Sequence, residues 1–263
     1  MSPVPLIRYL QHEPPSLFME DDLKATSMTK SENYKWQDIG PIGRWVDFNL
    51  TTIRQRYGAT LSFTQIPDEP MPSTPLRDIV SEAELRDYFS RLIYNRVERS
   101  LRYGFNYLQR NDQLGSANLT RVDIGSGAYA RFVRGCELDL FYASPSQPRN
   151  ERDARLPVEL KTSNKWNTDM RSSTNDTRQH DFRRVLSQVN FYMKTNHTRY
   201  ACIITDSEMV AIRRLDRNGN LELSDPIPWR HQSNSQNQVR LTMLLALWYL
   251  GMLAAEEGNW RLP

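Results

Sequence analysis

Cys136-Glu137-Leu138-Asp139-Leu140-Phe141-Tyr142 and Pro157-Val158-Glu159-Leu160-Lys161-Thr162 read as two β-strands, each short and rich in branched or aromatic residues. Side chains alternate between the two faces of a strand. Glu137 and Asp139 therefore share one face, opposite Cys136, Leu138 and Leu140. Glu159 and Lys161 likewise share a face, opposite Val158 and Leu160. If the strands pair in the register these patterns suggest, three carboxylates and one ammonium converge beside an apolar layer. The connection over residues 143–155 is long, polar and charged, and belongs at a surface.

Charges gathered at strand centres need compensation, because an unpaired charge taken out of water costs on the order of several kcal/mol. A divalent cation can supply it. Carboxylate oxygens are hard ligands suited to Mg²⁺ or Mn²⁺. Such an ion lowers the pKa of a bound water, orients it, and neutralises a phosphate under in-line attack. A lysine beside it can hold or deprotonate the water, or stabilise the developing oxyanion. The plainer use of the same residues is a ladder of structural ion pairs across two strands.

Working outward, Ser81 with Glu84 three positions on forms a capping box. It opens a helix in which Leu85, Phe89, Leu92, Ile93, Val97 and Leu101 recur at helical spacing. Further strands are expected at 119–124 and 130–133. Downstream come a helix over 181–194, strands over 199–205 and 208–215, and a last helix over 239–254. The order is helix, three or four strands, helix, two strands, helix, which predicts an α/β fold with a sheet flanked by helices. A short helix is expected at 43–57. Residues 1–40 read as an extended, partly disordered arm, and 66–76, with four prolines, as a linker. The expected division is an N-terminal arm and linker, 1–76, followed by one domain, 77–263.

With 39% hydrophobic and 25% charged residues, the 263-residue chain can build a packed core. A formal charge of +3 identifies no partner. Residues 161–240 hold thirteen Lys/Arg against eight Asp/Glu, which suits a polyanion as well as a solvated surface. Cys136 and Cys202 form neither a disulfide framework nor a CxxC motif, so both are expected to be buried small residues in a reducing compartment. No signal-like apolar run opens the chain, and its most apolar stretch, 243–255, is too short to span a bilayer. The expectation is an intracellular protein, in nucleus or cytoplasm, without a membrane partner.

A strand acid, a hairpin-like connection and Glu-x-Lys on the next strand resemble the PD-(D/E)XK nuclease superfamily. The resemblance implies a restriction-endonuclease-like αβββαβ core with a mixed central sheet. It implies that Asp139 and Glu159 hold Mg²⁺ or Mn²⁺, that the Leu160 carbonyl is a further ligand, and that Lys161 assists catalysis. Gln188-Val189-Asn190-Phe191-Tyr192 resembles the Gln-x-x-x-Tyr element of RecB-like members. There Gln188 would support Lys161 or a water, and Tyr192 would meet a phosphate or base; four residues apart, they share a helical face. Gly135-x-Glu137-x-Asp139 and Glu159-Leu160-Lys161-Thr162-Ser163 are also similar to motifs of RNA 5′-end decapping exoribonucleases. That comparison adds Glu137 to the ligands, although the family's upstream arginine–glycine motif has no counterpart here. The C-terminal half resembles fungal proteins bearing a PD-(D/E)XK nuclease-like domain.

Glu82 is the preferred first-helix acid to join such a site, ahead of Glu84 and Glu98. Lys165, Arg183 and Arg184 are candidates for nucleic-acid contact, as is Trp166 for stacking, each with a structural role as the alternative. The expected function is metal-dependent hydrolysis of DNA or RNA. The alternatives are an inactive nuclease-like module that binds nucleic acid or protein, and a structural partner that docks through its N-terminal arm.

Overall fold

The computed structural model describes residues 2–17, 32–72, 79–131, 137–231 and 238–262. Short N-terminal pieces come first: β1 (Pro3–Pro5), α1 (Leu6–Tyr9) and β2 (Ile42–Arg44). Then come α2 (Leu50–Phe63), β3 (Gln65–Pro67) and α3 (Glu82–Phe89), which runs through a π turn (Ser90–Tyr94) into α4 (Asn95–Arg110). A single turn of helix, α5 (Gln113–Ser116), precedes β4 (Asp123–Ser126), β5 (Leu140–Ala143) and β6 (Leu156–Leu160). The long helix α6 (Asp176–Thr195) leads to β7 (Tyr200–Ile204), β8 (Glu208–Arg214), β9 (Leu221–Leu223), β10 (Ile227–Pro228) and α7 (Met243–Ala255).

The main sheet has eight strands in the order β2-β9-β8-β7-β6-β5-β4, with β10 beside β8. Pairs β6/β7 and β2/β9 are parallel and the rest are antiparallel, so the sheet is mixed. Around the motif strands the order is helix (α3/α4), three antiparallel strands (β4, β5, β6), helix (α6), then a strand (β7) parallel to β6.

Alternation along the strands divides the core. Val158, Leu160, Cys202, Ile204 and Ala211 point to one cluster with α4 and α7. Ala201, Ile203, Val210 and Ile212 point to the other, with Phe182, Val185, Leu186 and Val189 of α6. Apolar on all sides, α7 is buried along its whole length, as a helix without a polar face must be. No helix among the described residues is long and apolar enough to cross a membrane.

The N-terminal segment differs from the expected arm. Where described, it is packed: Leu6, Tyr9 and Leu10 are fully buried, β1 pairs with β3, and β2 extends the main sheet through β9. The Trp229 indole donates to Pro15 O at 3.0 Å. Its prolines hide the fact that its apolar residues have partners far away in sequence. Of the proline-rich stretch, residues 73–76 lie outside the described residues; its first part is pinned by Arg96 donating to Glu69 O and Pro70 O, and by Arg99 on the Glu69 carboxylate at 2.6 Å. The helix expected at 43–57 begins later, because Asn49 caps it: Asn49 Oδ1 accepts from Thr52 N at 2.9 Å. The strand expected at 119–124 starts at Asp123. Of the strand expected at 130–133, residues 132–133 lie outside the described residues, as does Cys136. Cys202 is buried and free, and burial pushes its thiol well above the ordinary range.

Candidate active site

The hairpin β5–β6 pairs Leu140 with Val158, and Asp139 and Glu159 stand one step further along, at the mouth of β5. Asp139 is fixed by backbone. Its Oδ2 accepts from Leu160 N at 2.8 Å, and its carbonyl accepts from Gly127 N at 3.0 Å. Only glycine fits at 127, since a Cβ there would lie 1.7 Å from the Leu138 carbonyl oxygen. Its other carboxylate oxygen, Oδ1, accepts from the Arg86 guanidinium of α3.

Glu159 sits within β6 at 3% exposure, on the face toward α6. Its Oε1 accepts from Lys161 Nζ at 2.5 Å and from Gln188 Nε2 at 2.8 Å, while Oε2 is buried with no hydrogen-bond partner among the described residues. Burial, reinforced by the charge of Asp139, raises the Glu159 carboxyl to about 8 against the pull of Lys161. Burial also works to lower the Lys161 pKa, but the carboxylates of Glu159, Glu82 and Asp139 outweigh it, and the ammonium is held above its usual range. Lys161 therefore keeps its charge at neutral pH.

Three further elements converge here. Glu82, on the first turn of α3, lies 3.9 Å from Lys161 Nζ and accepts from Lys165 Nζ at 3.2 Å. Glu84 instead caps its own helix: its amide donates to Ser81 Oγ at 3.2 Å, and its carboxylate accepts from Val80 N rather than from Ser81 N as expected of a capping box. Glu98 lies with Tyr94 and Asp123. From α6, Gln188 also contacts Tyr192 Oη at 2.8 Å. Beyond Lys161, Ser163 donates through both N and Oγ to the Asp206 carboxylate at 2.6 Å, which fixes where β6 ends.

The remaining sequence candidates are placed elsewhere or already engaged. Glu137 is exposed and precedes β5. The alternation expected of residues 136–142 fails before Leu140, because Leu138 packs with Phe141 and not with Leu140. Tyr192 is buried, so its hydroxyl serves Gln188 and not a solvent-borne group. Lys165 is held by Glu82. Arg183 donates to the carbonyls of Ile39 and Gly40, tying the N-terminal segment to α6, and Arg184 pairs with Asp181 at 3.1 Å. Trp166 is fully buried and stacked on Phe182 with ring centroids 5.5 Å apart.

Sequence reasoning missed Arg86, Gly127 and Asp206. Arg86 carried a faint signal, four residues after Glu82 and so on the same helical face. Gly127 carried none, because the close approach it allows is set by tertiary packing. Comparison with protein-family models, curated proteins and solved structures finds no match.

Proposed function

We propose that this chain is a divalent-metal-dependent phosphodiesterase acting on DNA or RNA, built on a restriction-endonuclease-like αβββαβ core. One observation carries the reading: a buried glutamate, Glu159, keeps one oxygen without a hydrogen-bond partner among the described residues, beside a second carboxylate and a charged lysine. Buried carboxylate oxygens are ordinarily satisfied, and an unsatisfied one is a natural ligand for a hard cation. The fit is through Asp139 and Glu159, with the carbonyl of Leu160, the residue that follows Glu159. Among the described residues no three His, Cys, Asp or Glu side chains gather closely enough to hold an ion. Two carboxylates and a carbonyl are therefore the proposed set, with Glu137 a ligand only if its segment moves.

When bound, Mg²⁺ or Mn²⁺ would supply an activated water and charge neutralisation at the phosphate. The chain's own residues do the rest. Lys161, its ammonium favoured by the surrounding carboxylates, holds the water or an oxyanion and is a poor general base. Gln188 keeps the Glu159 carboxylate turned so that Oε2 is free, and Tyr192 in turn holds the Gln188 amide. Glu82 and Lys165 set the position of the lysine.

A second reading has its own support. Arg86 and Lys161 already neutralise Asp139 and Glu159 without any ion, as in a nuclease-like module that binds but does not cut. Labelled DNA and RNA incubated with Mn²⁺ or with EDTA separate the two. Cleavage that needs metal and is lost in Glu159→Ala and Lys161→Ala supports the nuclease. Undiminished cleavage by either variant overturns the assigned roles. Nucleic-acid binding without metal binding favours the module.

A further inference from the structure

We infer that Arg86 is an exchangeable counter-ion: it holds Asp139 in the metal-free protein and passes to a substrate phosphate once a cation takes that carboxylate. The inference rests on the nuclease reading and adds a substrate-binding residue to it. Three features of the site point this way.

The first is the division of labour on Asp139. One oxygen, Oδ2, is fixed by the Leu160 amide at 2.8 Å, so the carboxylate keeps its orientation whether or not Arg86 is present. The other, Oδ1, accepts from the Arg86 guanidinium alone among the described residues. The second is charge. The Arg86–Asp139 pair stands beside a second set, Glu159–Lys161–Glu82–Lys165, so the site sets three acidic side chains against three basic ones. A divalent ion adds two positive charges where the basic groups already match or exceed the ionised acids, so one resident cation gains by leaving, and an arriving phosphate restores the balance. The third is freedom to move. Arg86 is 50% exposed on its side chain, against 12% for Lys161 and 24% for Lys165. Solvent lowers the cost of breaking its ion pair, and a long, half-exposed guanidinium at the mouth of the site suits a two-pronged grip on phosphate.

Mn²⁺ titration of wild type, Arg86→Ala and Arg86→Lys without nucleic acid, paired with the salt dependence of kcat/KM on labelled DNA and RNA oligonucleotides, tests this. Arg86→Ala should bind Mn²⁺ about two- to fivefold more tightly, the worth of a half-exposed ion pair. It should lose about ten- to hundredfold in kcat/KM, as for a charged hydrogen bond. Its log–log salt slope should fall by about one, as for one lost phosphate contact. Arg86→Lys should lie between, and serves as the measurement if the alanine variant does not fold. Unchanged or weaker Mn²⁺ binding, or an unchanged salt slope, overturns the role of Arg86 alone. Wild-type protein that binds no Mn²⁺ overturns the nuclease reading and this inference together.

Discussion

Gln188 of α6 donates to Glu159 Oε1 across 2.8 Å, and that bond, with Lys161 on the same oxygen, leaves Glu159 Oε2 buried and without a partner among the described residues. Two donors crowd one oxygen while its twin has none. A carboxylate in a purely structural ion-pair ladder would gain from sharing its donors between both oxygens. The asymmetry therefore has a cost in the metal-free fold, and a ligand at Oε2 would offset it.

Glu159→Gln keeps the shape of the side chain and removes its charge. The variant should fold, with a melting temperature at neutral pH equal to or above that of wild type, because below about pH 8 the fold must take up a proton at Glu159 that a neutral amide does not need. Calorimetric titration with Mn²⁺ should show binding abolished. Retained binding would move the ion away from Glu159.

The same group makes stability depend on pH. Its carboxyl titrates near 4.5 when unfolded and is raised to about 8 by burial in the fold. Between these values the native state holds the proton that the unfolded chain has released. Stability in EDTA should therefore be highest below about pH 4.5 as far as this group is concerned, decline up to about pH 8, and show no further loss from it above that. Urea unfolding at pH 5 and pH 8 reads the difference, and Glu159→Gln should remove this component. Over the same range Mn²⁺ competes with the proton, so metal affinity should rise with pH.

The central hairpin was legible because its charges sit at alternate positions in apolar strands, a pattern with few explanations. Helix α6 and strands β7 and β8 followed from periodicity, and Glu82 was chosen over Glu84 and Glu98 by helical phase. Other placements were not legible, for physical reasons. Arg183, Arg184, Lys165 and Trp166 sit near the site in sequence, but whether a cation faces solvent or a buried carbonyl depends on the opposing element. For Arg183 that element is a segment some 140 residues away, at Ile39 and Gly40. The N-terminal segment looked extended because prolines dominate its local signal, while Leu6, Tyr9 and Leu10 gain their burial from α2 and α4.

Gln188→Leu removes the amide that orients Glu159 while nearly preserving volume. Groups that aim a metal ligand are worth about 10- to 100-fold in affinity or activity, and a loss of that size in kcat with little change in melting temperature is expected. Tyr192→Phe, which deletes only the hydroxyl behind the amide, should lose less. Equal losses in both variants would mean that Tyr192 acts directly and not through Gln188.

Gly127 tests the scaffold rather than the chemistry. Its amide holds the Asp139 carbonyl at 3.0 Å, and a methyl group at 127 would drive into the Leu138 carbonyl oxygen. Gly127→Ala must push the 138–139 backbone away, and with it the Asp139 carboxylate that pairs with Leu160 N. Relief of such an overlap costs about 1–3 kcal/mol of stability, measurable by urea unfolding. The effect on cleavage should be larger in proportion, because a displacement of about 1 Å at a reacting site costs on the order of a hundredfold. If Gly127→Ala loses stability but keeps full activity, Asp139 does not need its present position, and a role for it in holding the ion fails with that result.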